Sequence, residues 1–259
     1  MCISHFSSCG MGAKDSLTSR RRFIQRFLSL HFIAFLEGLL LCGLITIRYR
    51  EVTPMIGFYD YTVILTYMGA LAGMLGIVMS VRGLYVNTIL CMAVALVCDT
   101  LDGIVARKKK NRTKNEMLFG IQIDSLCDLI SFGLCPATLF YMLGMRGIAD
   151  MSLLGAYCLC CVIRLGYFNV LAVQAELGTK GDYHGLPVVC LDIAAPAVYL
   201  AYLLVPGRCS LWVLRTATVL FGFLYILDFK VKKPVLWKFV AMGAAVLAPL
   251  LILLLRCPG

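Results

Sequence analysis

The chain has 259 residues, of which 61% are hydrophobic and only 15% charged, a composition that sets it apart from water-soluble globular proteins. Several apolar runs reach the roughly 20 residues that an α-helix needs to cross a bilayer, and no alternating ten-residue pattern indicates a β-barrel. The formal charge of +10 comes mainly from basic clusters at 20–26, 107–114 and 230–238, beside apolar runs. This placement favours loops at anionic headgroups over nucleic-acid binding. We therefore predict an all-α, polytopic membrane helical bundle that binds no nucleic acid.

The chain begins with a polar segment that ends in arginines and leads into an apolar run at about 27–47. This part resembles a signal anchor or the core of a signal peptide, although no clear small-residue cleavage site follows. Seven more apolar runs follow, and the short connections between them predict antiparallel neighbours. In the first of them, Gly69 and Gly73 form a Gly-x-x-x-Gly pattern typical of helix packing. The seven runs are approximately Tyr61–Met79, Tyr85–Val105, Ile121–Leu143, Met151–Val173, Leu186–Val205, Leu211–Leu227 and Val235–Leu255.

The basic loops predict the orientation of these helices. Six Lys/Arg residues lie at 107–114 and three at 230–233, whereas the alternate loops at 144–150 and 206–210 hold one arginine each. Loops rich in Lys and Arg face the cytoplasm. The stretch 99–137, which contains four aspartates, is therefore expected at the cytoplasmic face of the membrane.

A spanning helix at 27–47 would conflict with this orientation, because it would place the arginines at 20–26 outside the cell. Either this segment lies in the membrane interface, or the natural chain begins at Met55, which is the hypothesis we favour. We accordingly divide the chain into an N-terminal extension (1–54), a membrane domain (55–234) and an additional C-terminal hydrophobic helix (235–259).

Four aspartates stand at helical spacing in the stretch 99–137. Asp99 and Asp102 are three residues apart and Asp124 and Asp128 are four apart, so each pair lies on one face of a helix. A carboxylate in an apolar run is costly to desolvate and usually faces a cavity or a cation. Two helices joined by a loop can bring the pairs together into an oxygen-rich site of the kind that Mg²⁺ or Mn²⁺ prefers. The alternative is a solvated acidic surface paired with the basic loop.

Neighbouring residues indicate which chemistry such a site would perform. Gly103 and Gly120 leave room for a bulky group to approach each helix, and Arg107 offers a fixed positive charge that suits phosphate. Carboxylate-bound divalent ions commonly share their coordination with phosphates and neutralise charge in phosphoryl-type transfer. A carboxylate close to the metals can also accept a proton from an alcohol. The residues alone predict metal-dependent transfer of a phosphate-bearing group, with the donor and the alcohol left open.

A cation- or proton-coupled transporter is the alternative from a different functional class. Its ionisable residues would be expected near the bilayer midplane and distributed over internal repeats. The four aspartates instead cluster at one predicted membrane face, and no internal repeat is evident. The pattern therefore favours an enzyme.

The aspartate pattern resembles the signature D-x-x-D-G-x-x-A-R…G-x-x-x-D-x-x-x-D of the CDP-alcohol phosphatidyltransferases. All eight positions match, at Asp99, Asp102, Gly103, Ala106, Arg107, Gly120, Asp124 and Asp128. The spacer between the arginine and the second glycine has twelve residues, which is longer than the common family spacing. The text DSLCDLISFGLCPA at Asp124–Ala137 resembles the phosphatidylserine synthase branch of this family. So do Ile163–Val170, the turn at Gly185–Pro187 and the segment Tyr225–Pro234.

The resemblance implies a homodimer with a six-helix core among membrane lipids, with the apolar run at 235–259 as an addition. The active site would face the cytoplasm from the cell membrane. The donor would be CDP-diacylglycerol and the acceptor L-serine, giving phosphatidylserine and CMP in phospholipid biosynthesis. A sister enzyme that uses glycerol 3-phosphate or an inositol phosphate is the alternative within the family.

The resemblance also implies roles for individual residues. The four aspartates would bind two Mg²⁺ or Mn²⁺ ions, and Asp128 would in addition act as the general base for the serine hydroxyl. Residues expected to bind the cytidine diphosphate are Asp102, Gly103, Ala106, Arg107 and Gly120. Further candidates for holding phosphate or the serine carboxylate are Ser131, Arg164 and Asn169.

Overall fold

The structure, a computed structural model, describes residue 57 and residues 61–108, 113–176 and 185–229. Within these ranges the secondary structure is entirely helical. The α-helices in chain order are α1 (Tyr61–Val81), α2 (Tyr85–Lys108), α3 (Lys114–Asp128), α4 (Cys135–Met142), α5 (Ile148–Glu176), α6 (Cys190–Leu204) and α7 (Ser210–Ile226). A π-helix at Leu129–Leu134, called the π segment below, joins α3 to α4, and a 3₁₀ turn at Gly207–Cys209 precedes α7.

The prediction of an all-α membrane helical bundle is confirmed. Four helical stretches are long and apolar enough to cross a membrane: Val63–Val81, Tyr85–Val105, Lys114–Met142 and Ile148–Ala175. The helices α6 and α7 are shorter and also apolar, so each of the six predicted runs between 61 and 227 contains a helix. The extension at 1–54 and the additional helix at 235–259 lie outside the described residues, and the division into three segments stays a prediction.

One helix begins earlier than its hydropathy predicts. The third of the seven runs was expected from Ile121, but α3 begins at Lys114. Thr113 caps the helix, since its side chain accepts a hydrogen bond from the Glu116 amide while the Glu116 carboxylate accepts one from the Thr113 amide. Such a capping box stabilises a polar first turn that a hydropathy pattern does not detect. It adds about two turns to the helix that carries Asp124 and Asp128.

Glycines allow α1 to approach the π segment and α4 closely. A Cβ atom on Gly73 would lie 2.5 Å from Ser131 Oγ and 2.7 Å from Ser131 Cα. A Cβ atom on Gly76 would lie 2.8 Å from Cys135 Sγ. Real carbon contacts are about 3.5–4.0 Å, so larger residues would push these elements apart. The packing role expected for the Gly-x-x-x-Gly pattern is confirmed at Gly73.

The bundle has a buried centre and an apolar exterior. Phe132, Phe140, Met92 and Leu214, from four different elements, are each at most 1% exposed. Large apolar side chains on α5 and α7 point outward, among them Leu159, Ile163, Tyr167, Trp212 and Phe223. Contiguous apolar surface of this kind marks a membrane or protein interface. The core therefore holds α2, α3 and α5 in place while outer faces suit lipid.

Candidate active site

The structure brings three of the four predicted aspartates together. Asp99 lies on α2, and Asp124 and Asp128 lie one turn apart on α3. One carboxylate oxygen from each of these three residues lies within 4.8 Å of the others. The spacing of four on α3 puts two of the carboxylates on one face. The third comes from α2, since α1 packs against both α2 and α3 and holds them close together. We call Asp99, Asp124 and Asp128 the carboxylate cluster.

Asp102 lies beside the carboxylate cluster but has a partner of its own. It is 6% exposed, and its Oδ2 atom accepts a 2.8 Å hydrogen bond from the Thr66 hydroxyl on α1. Thr66 therefore holds the Asp102 carboxylate against α1, and the role of Asp102 in binding metal stays a prediction.

The carboxylate cluster fits a hard divalent cation. Like charges this close together in a partly buried site destabilise one another unless a cation or protons compensate them. Anionic oxygen atoms are the ligands that Mg²⁺ and Mn²⁺ prefer. Oxygen atoms within 4.8 Å of each other can reach one ion, because opposite ligands of a six-coordinate Mg²⁺ are about 4 Å apart. The residues present thus suit the metal that the sequence predicted.

A cleft of about 240 Å³ opens beside the cluster and contains other predicted residues. Its polar lining comes from Asp99, Asp124, Ser125, Asp128, Arg164 and Asn169. Apolar side chains from α3, α5 and the turn before α6 complete it: Ile121, Leu165, Phe168, Ala172, Pro187, Val188 and Val189. A pocket with an apolar wall and a few convergent charged groups is typical of a substrate site.

Arg164 is a buried cation in the wall of this cleft. It is 4% exposed, and its Nε atom donates a 2.8 Å hydrogen bond to the Leu186 carbonyl in the turn before α6. Its guanidinium lies over the Phe168 ring at 5.2 Å. These contacts hold the planar group in one orientation, and such preorganisation suits a guanidinium that recognises a carboxylate or a phosphate.

A chain of hydrogen bonds links α3 to α5 beside the cleft. Ser125 donates to the Asn169 side-chain oxygen, and the Asn169 amide donates to Gln122. Ser125 stands next to Asp124, so the chain ties the helix of the cluster to the helix of Arg164. The sequence indicated Asn169 but not Ser125 or Gln122, since their partners lie more than 40 positions away.

The other predicted site residues lie at different places. Ser131 is 3% exposed and donates a 3.1 Å hydrogen bond to the Gly69 carbonyl, which is a packing contact, and it does not line the cleft. Gly103 is half-buried on α2, one turn beyond Asp99, and Gly120 is half-buried on α3, one turn before Asp124. Ala106 and Arg107 continue α2 toward its end. The phosphate role of Ser131 and the nucleotide roles of these four residues stay predictions.

Sequence reasoning missed the buried carboxylate of Asp192. It lies in the first turn of α6 and is 4% exposed. Neither of its oxygen atoms has a hydrogen-bond partner in the part of the chain that the structure describes. It follows Val188 and Val189 of the cleft wall by about one helical turn. A single acid in the run Leu186–Val205 was the available signal.

Replacing Asp192 with leucine, which has nearly the same shape, is expected to stabilise the protein. A buried polar group without hydrogen bonds costs about 1–3 kcal/mol, and an apolar replacement of similar volume removes that cost. The midpoint of thermal unfolding in detergent should therefore rise. Asp150→Leu is the matched control, because Asp150 is ion-paired with Arg215 at 2.7 Å and its loss should lower the midpoint. A lower midpoint for Asp192→Leu would show that Asp192 has a stabilising partner.

Comparison with known proteins gives a consistent picture. The family model of the CDP-alcohol phosphatidyltransferases matches residues 62–229. An archaetidylserine synthase of Methanothermobacter thermautotrophicus is 33% identical over 152 residues, which are 58% of this chain and 61% of that protein. A CDP-diacylglycerol–serine O-phosphatidyltransferase of Methanocaldococcus jannaschii is 32% identical over 62% of this chain and 71% of its own length. The Bacillus subtilis protein of that name is 30% identical over 52% and 74%.

Each of these matches covers part of this chain and part of the relative. The chain spans less than two thirds of the Methanothermobacter protein. No solved structure gives a significant match. The matched region 62–229 contains the carboxylate cluster, Asp102 and the whole lining of the cleft.

Proposed function

Because this chain belongs to the CDP-alcohol phosphatidyltransferase family, we propose that it transfers the phosphatidyl group of CDP-diacylglycerol to the hydroxyl of L-serine. The products are phosphatidylserine and CMP. The observation that carries the proposal is the carboxylate cluster, which converges at a cleft that also contains a buried arginine. Several curated relatives bear the name of a serine phosphatidyltransferase, which supports serine as the acceptor.

The chemistry needs charge neutralisation and removal of one proton. Two Mg²⁺ or Mn²⁺ ions at Asp99, Asp102, Asp124 and Asp128, when bound, would neutralise negative charge on the diphosphate. Asp128 accepts the proton of the serine hydroxyl, as a carboxylate within the cluster can do. The serine oxygen forms its bond to the phosphatidyl phosphorus while the bond from that phosphorus to the oxygen of CMP breaks. Carboxylates on two helices that both pack against α1 keep this arrangement in place.

The two substrates would occupy different sides of the cluster. Gly103, Ala106, Arg107 and Gly120 would hold the cytidine diphosphate, toward the ends of α2 and α3 that the basic loop joins. Arg164 and Asn169, which line the cleft with Asp128, would bind the serine carboxylate and orient its hydroxyl. The apolar walls lower the local polarity, which strengthens the ionic contact of Arg164.

The cleft favours serine over a phosphorylated acceptor. Among the described residues of its lining, Arg164 is the one cationic side chain. A single guanidinium matches one carboxylate, whereas glycerol 3-phosphate or an inositol phosphate carries a dianionic group beside the acidic cluster. Because the metal ions would be engaged by the diphosphate of the donor, such an acceptor would need further basic side chains nearby.

The proposal includes the setting of the enzyme. Four helices that are long and apolar enough to cross a membrane suit a multi-pass protein of the cell membrane. The basic residues at 107–114 would keep the active site at the cytoplasmic face. The outward apolar side chains of α5 and α7 suit lipid or the second subunit of a homodimer.

The direct test measures CMP release from CDP-diacylglycerol by the purified protein in detergent micelles. Each assay contains Mg²⁺ or Mn²⁺ and one acceptor from a panel of L-serine, glycerol 3-phosphate and an inositol phosphate. We expect release to depend on L-serine, with phosphatidylserine formed in equal amount. If CMP release depended on a different alcohol, that alcohol would replace serine as the acceptor of the same reaction. No release with any acceptor would contradict transferase activity.

A further inference from the structure

The helix that carries Asp128 changes its geometry directly after this residue. The π segment begins at Leu129, and the amide of Cys135 donates to the carbonyl of Ile130, five residues earlier. A π segment accommodates an additional residue in the helix, which rotates the residues beyond it by about 100° relative to an uninterrupted α-helix. The orientation of Asp128 relative to α4 therefore depends on this segment.

Pro136 leaves one backbone carbonyl of the π segment without its usual helical donor. Proline has no amide hydrogen, so it cannot donate to the carbonyl four residues earlier, that of Phe132. The structure supplies a replacement from another helix. The hydroxyl of Tyr157 on α5 donates a 2.8 Å hydrogen bond to this carbonyl. Tyr157 is 2% exposed and Phe132 is 1% exposed, so water does not compete for the contact.

A second hydrogen bond holds the other side of the π segment. Ser131 donates a 3.1 Å hydrogen bond to the Gly69 carbonyl on α1. It does so where Gly73 allows α1 and the π segment to approach each other closely. A Cβ atom on Gly133 would lie 3.0 Å from the Leu129 side chain and 3.6 Å from Cys161. The π segment is thus held between α1 and α5.

These contacts account for sequence features that the metal site does not use. Ser131, Gly133 and Pro136 belong to the text SFGLCP that follows Asp128. Ser131 donates a hydrogen bond to α1, and Gly133 leaves space beside Cys161. Pro136 lacks the amide whose place is taken by the Tyr157 hydroxyl. The text therefore specifies the geometry of the helix beyond Asp128.

We propose that Tyr157 is a positioning residue for Asp128, acting through the Phe132 carbonyl and the π segment. The inference rests on the proposed function, in which Asp128 binds metal and accepts the proton of the acceptor. Tyr157 itself touches neither substrate. By holding the π segment, it keeps the Asp128 carboxylate within the cluster and aligned with the cleft.

The test removes the hydroxyl of Tyr157 and compares it with a matched tyrosine. Tyr157→Phe keeps the ring and loses the hydrogen bond to Phe132. We expect kcat to fall about tenfold, with less than a twofold change in KM for either substrate, since small misplacement of a reacting group costs up to about 10²-fold. Tyr202→Phe is the control, because its hydroxyl also donates a 2.8 Å hydrogen bond to a backbone carbonyl, that of Leu143. It should keep its kcat.

A second measurement requires no turnover. The affinity of metal-free protein for Mn²⁺, followed by the electron paramagnetic resonance signal of free Mn²⁺, should weaken several-fold in Tyr157→Phe and stay unchanged in Tyr202→Phe. Unchanged Mn²⁺ affinity together with unchanged kcat would overturn the proposal. If the unaltered protein transfers no phosphatidyl group to any alcohol, the proposed function fails, whereas the Mn²⁺ measurement still tests the link from Tyr157 to the cluster.

Restoring a donor along the helix separates positioning from general destabilisation. Pro136→Ala supplies an amide that can donate to the Phe132 carbonyl, so the hydroxyl of Tyr157 becomes dispensable. In this background Tyr157→Phe should reduce kcat by less than twofold instead of about tenfold. Equal losses in both backgrounds would show that Tyr157 acts by another route and would overturn the proposal.

Discussion

The Asp128→Asn variant is expected to lose CMP release by about 10²–10⁴-fold, the contribution typical of a general base. The amide has almost the same shape as the carboxylate but cannot accept the proton of the serine hydroxyl. Asp128 belongs to the carboxylate cluster and also lines the cleft, so both the ions and the acceptor would reach it. Binding of CDP should stay measurable, because the nucleotide is held by other residues and the remaining carboxylates.

Two measurements check this prediction. Initial rates of CMP release are compared at saturating L-serine and Mn²⁺, and CDP binding is followed by isothermal titration calorimetry. Asp150→Asn serves as the control, since Asp150 is a buried aspartate on α5 with an ion pair to Arg215 and it does not line the cleft. Near-normal turnover in Asp128→Asn would exclude Asp128 as the base. Loss of CDP binding would indicate that its main role is to hold the nucleotide.

The carboxylate cluster illustrates what local spacing predicts. Helical periodicity places Asp124 above Asp128 on one face, and the membrane context makes a shared cation the most economical explanation for four acids. The approach of Asp99 to this pair depends on α1, which packs against both α2 and α3. The six helical stretches between 61 and 227 are predicted well from hydropathy, because each one carries apolar side chains along its whole length. Some of these side chains are buried in the core and others are exposed on the outer surface.

The features that escaped prediction depend on tertiary contacts. The π segment differs from an α-helix by one residue in a turn, a change too small to alter an apolar pattern of about 20 residues. The partner of Asp102 is Thr66, 36 positions away, and the partner of Ser125 is Asn169, 44 positions away. Ser131, a candidate for holding phosphate or the serine carboxylate, has its hydroxyl bonded to the Gly69 carbonyl, and its role at the site stays a prediction. A polar side chain in an apolar run can either bind a ligand or form a packing contact between helices, and only its neighbours in the fold distinguish these two roles.

Removal of divalent metal is expected to abolish CMP release completely. Chelation with EDTA would leave the four carboxylates without the cation that compensates their repulsion and neutralises the diphosphate. Addition of excess Mg²⁺ or Mn²⁺ should restore the rate. Restoration also excludes irreversible unfolding of the metal-free protein. Full activity of a protein shown by elemental analysis to be free of metal would contradict the proposed mechanism.

A single substitution on the same helix links this metal dependence to the cluster. Asp124→Asn exchanges an anionic oxygen for a neutral group. The Mn²⁺ concentration for half-maximal CMP release should therefore rise by at least about 10–100-fold, which is the loss of metal affinity typical for residues that only support a ligand. Glu116→Gln is the control at the start of α3, because glutamine can also complete the capping box with Thr113. If Asp124→Asn lowered kcat without changing the Mn²⁺ requirement, Asp124 would act on the substrate rather than on the ion. We expect the Mn²⁺ requirement to rise, because the three carboxylate oxygens within 4.8 Å place Asp124 where one ion would contact both helices.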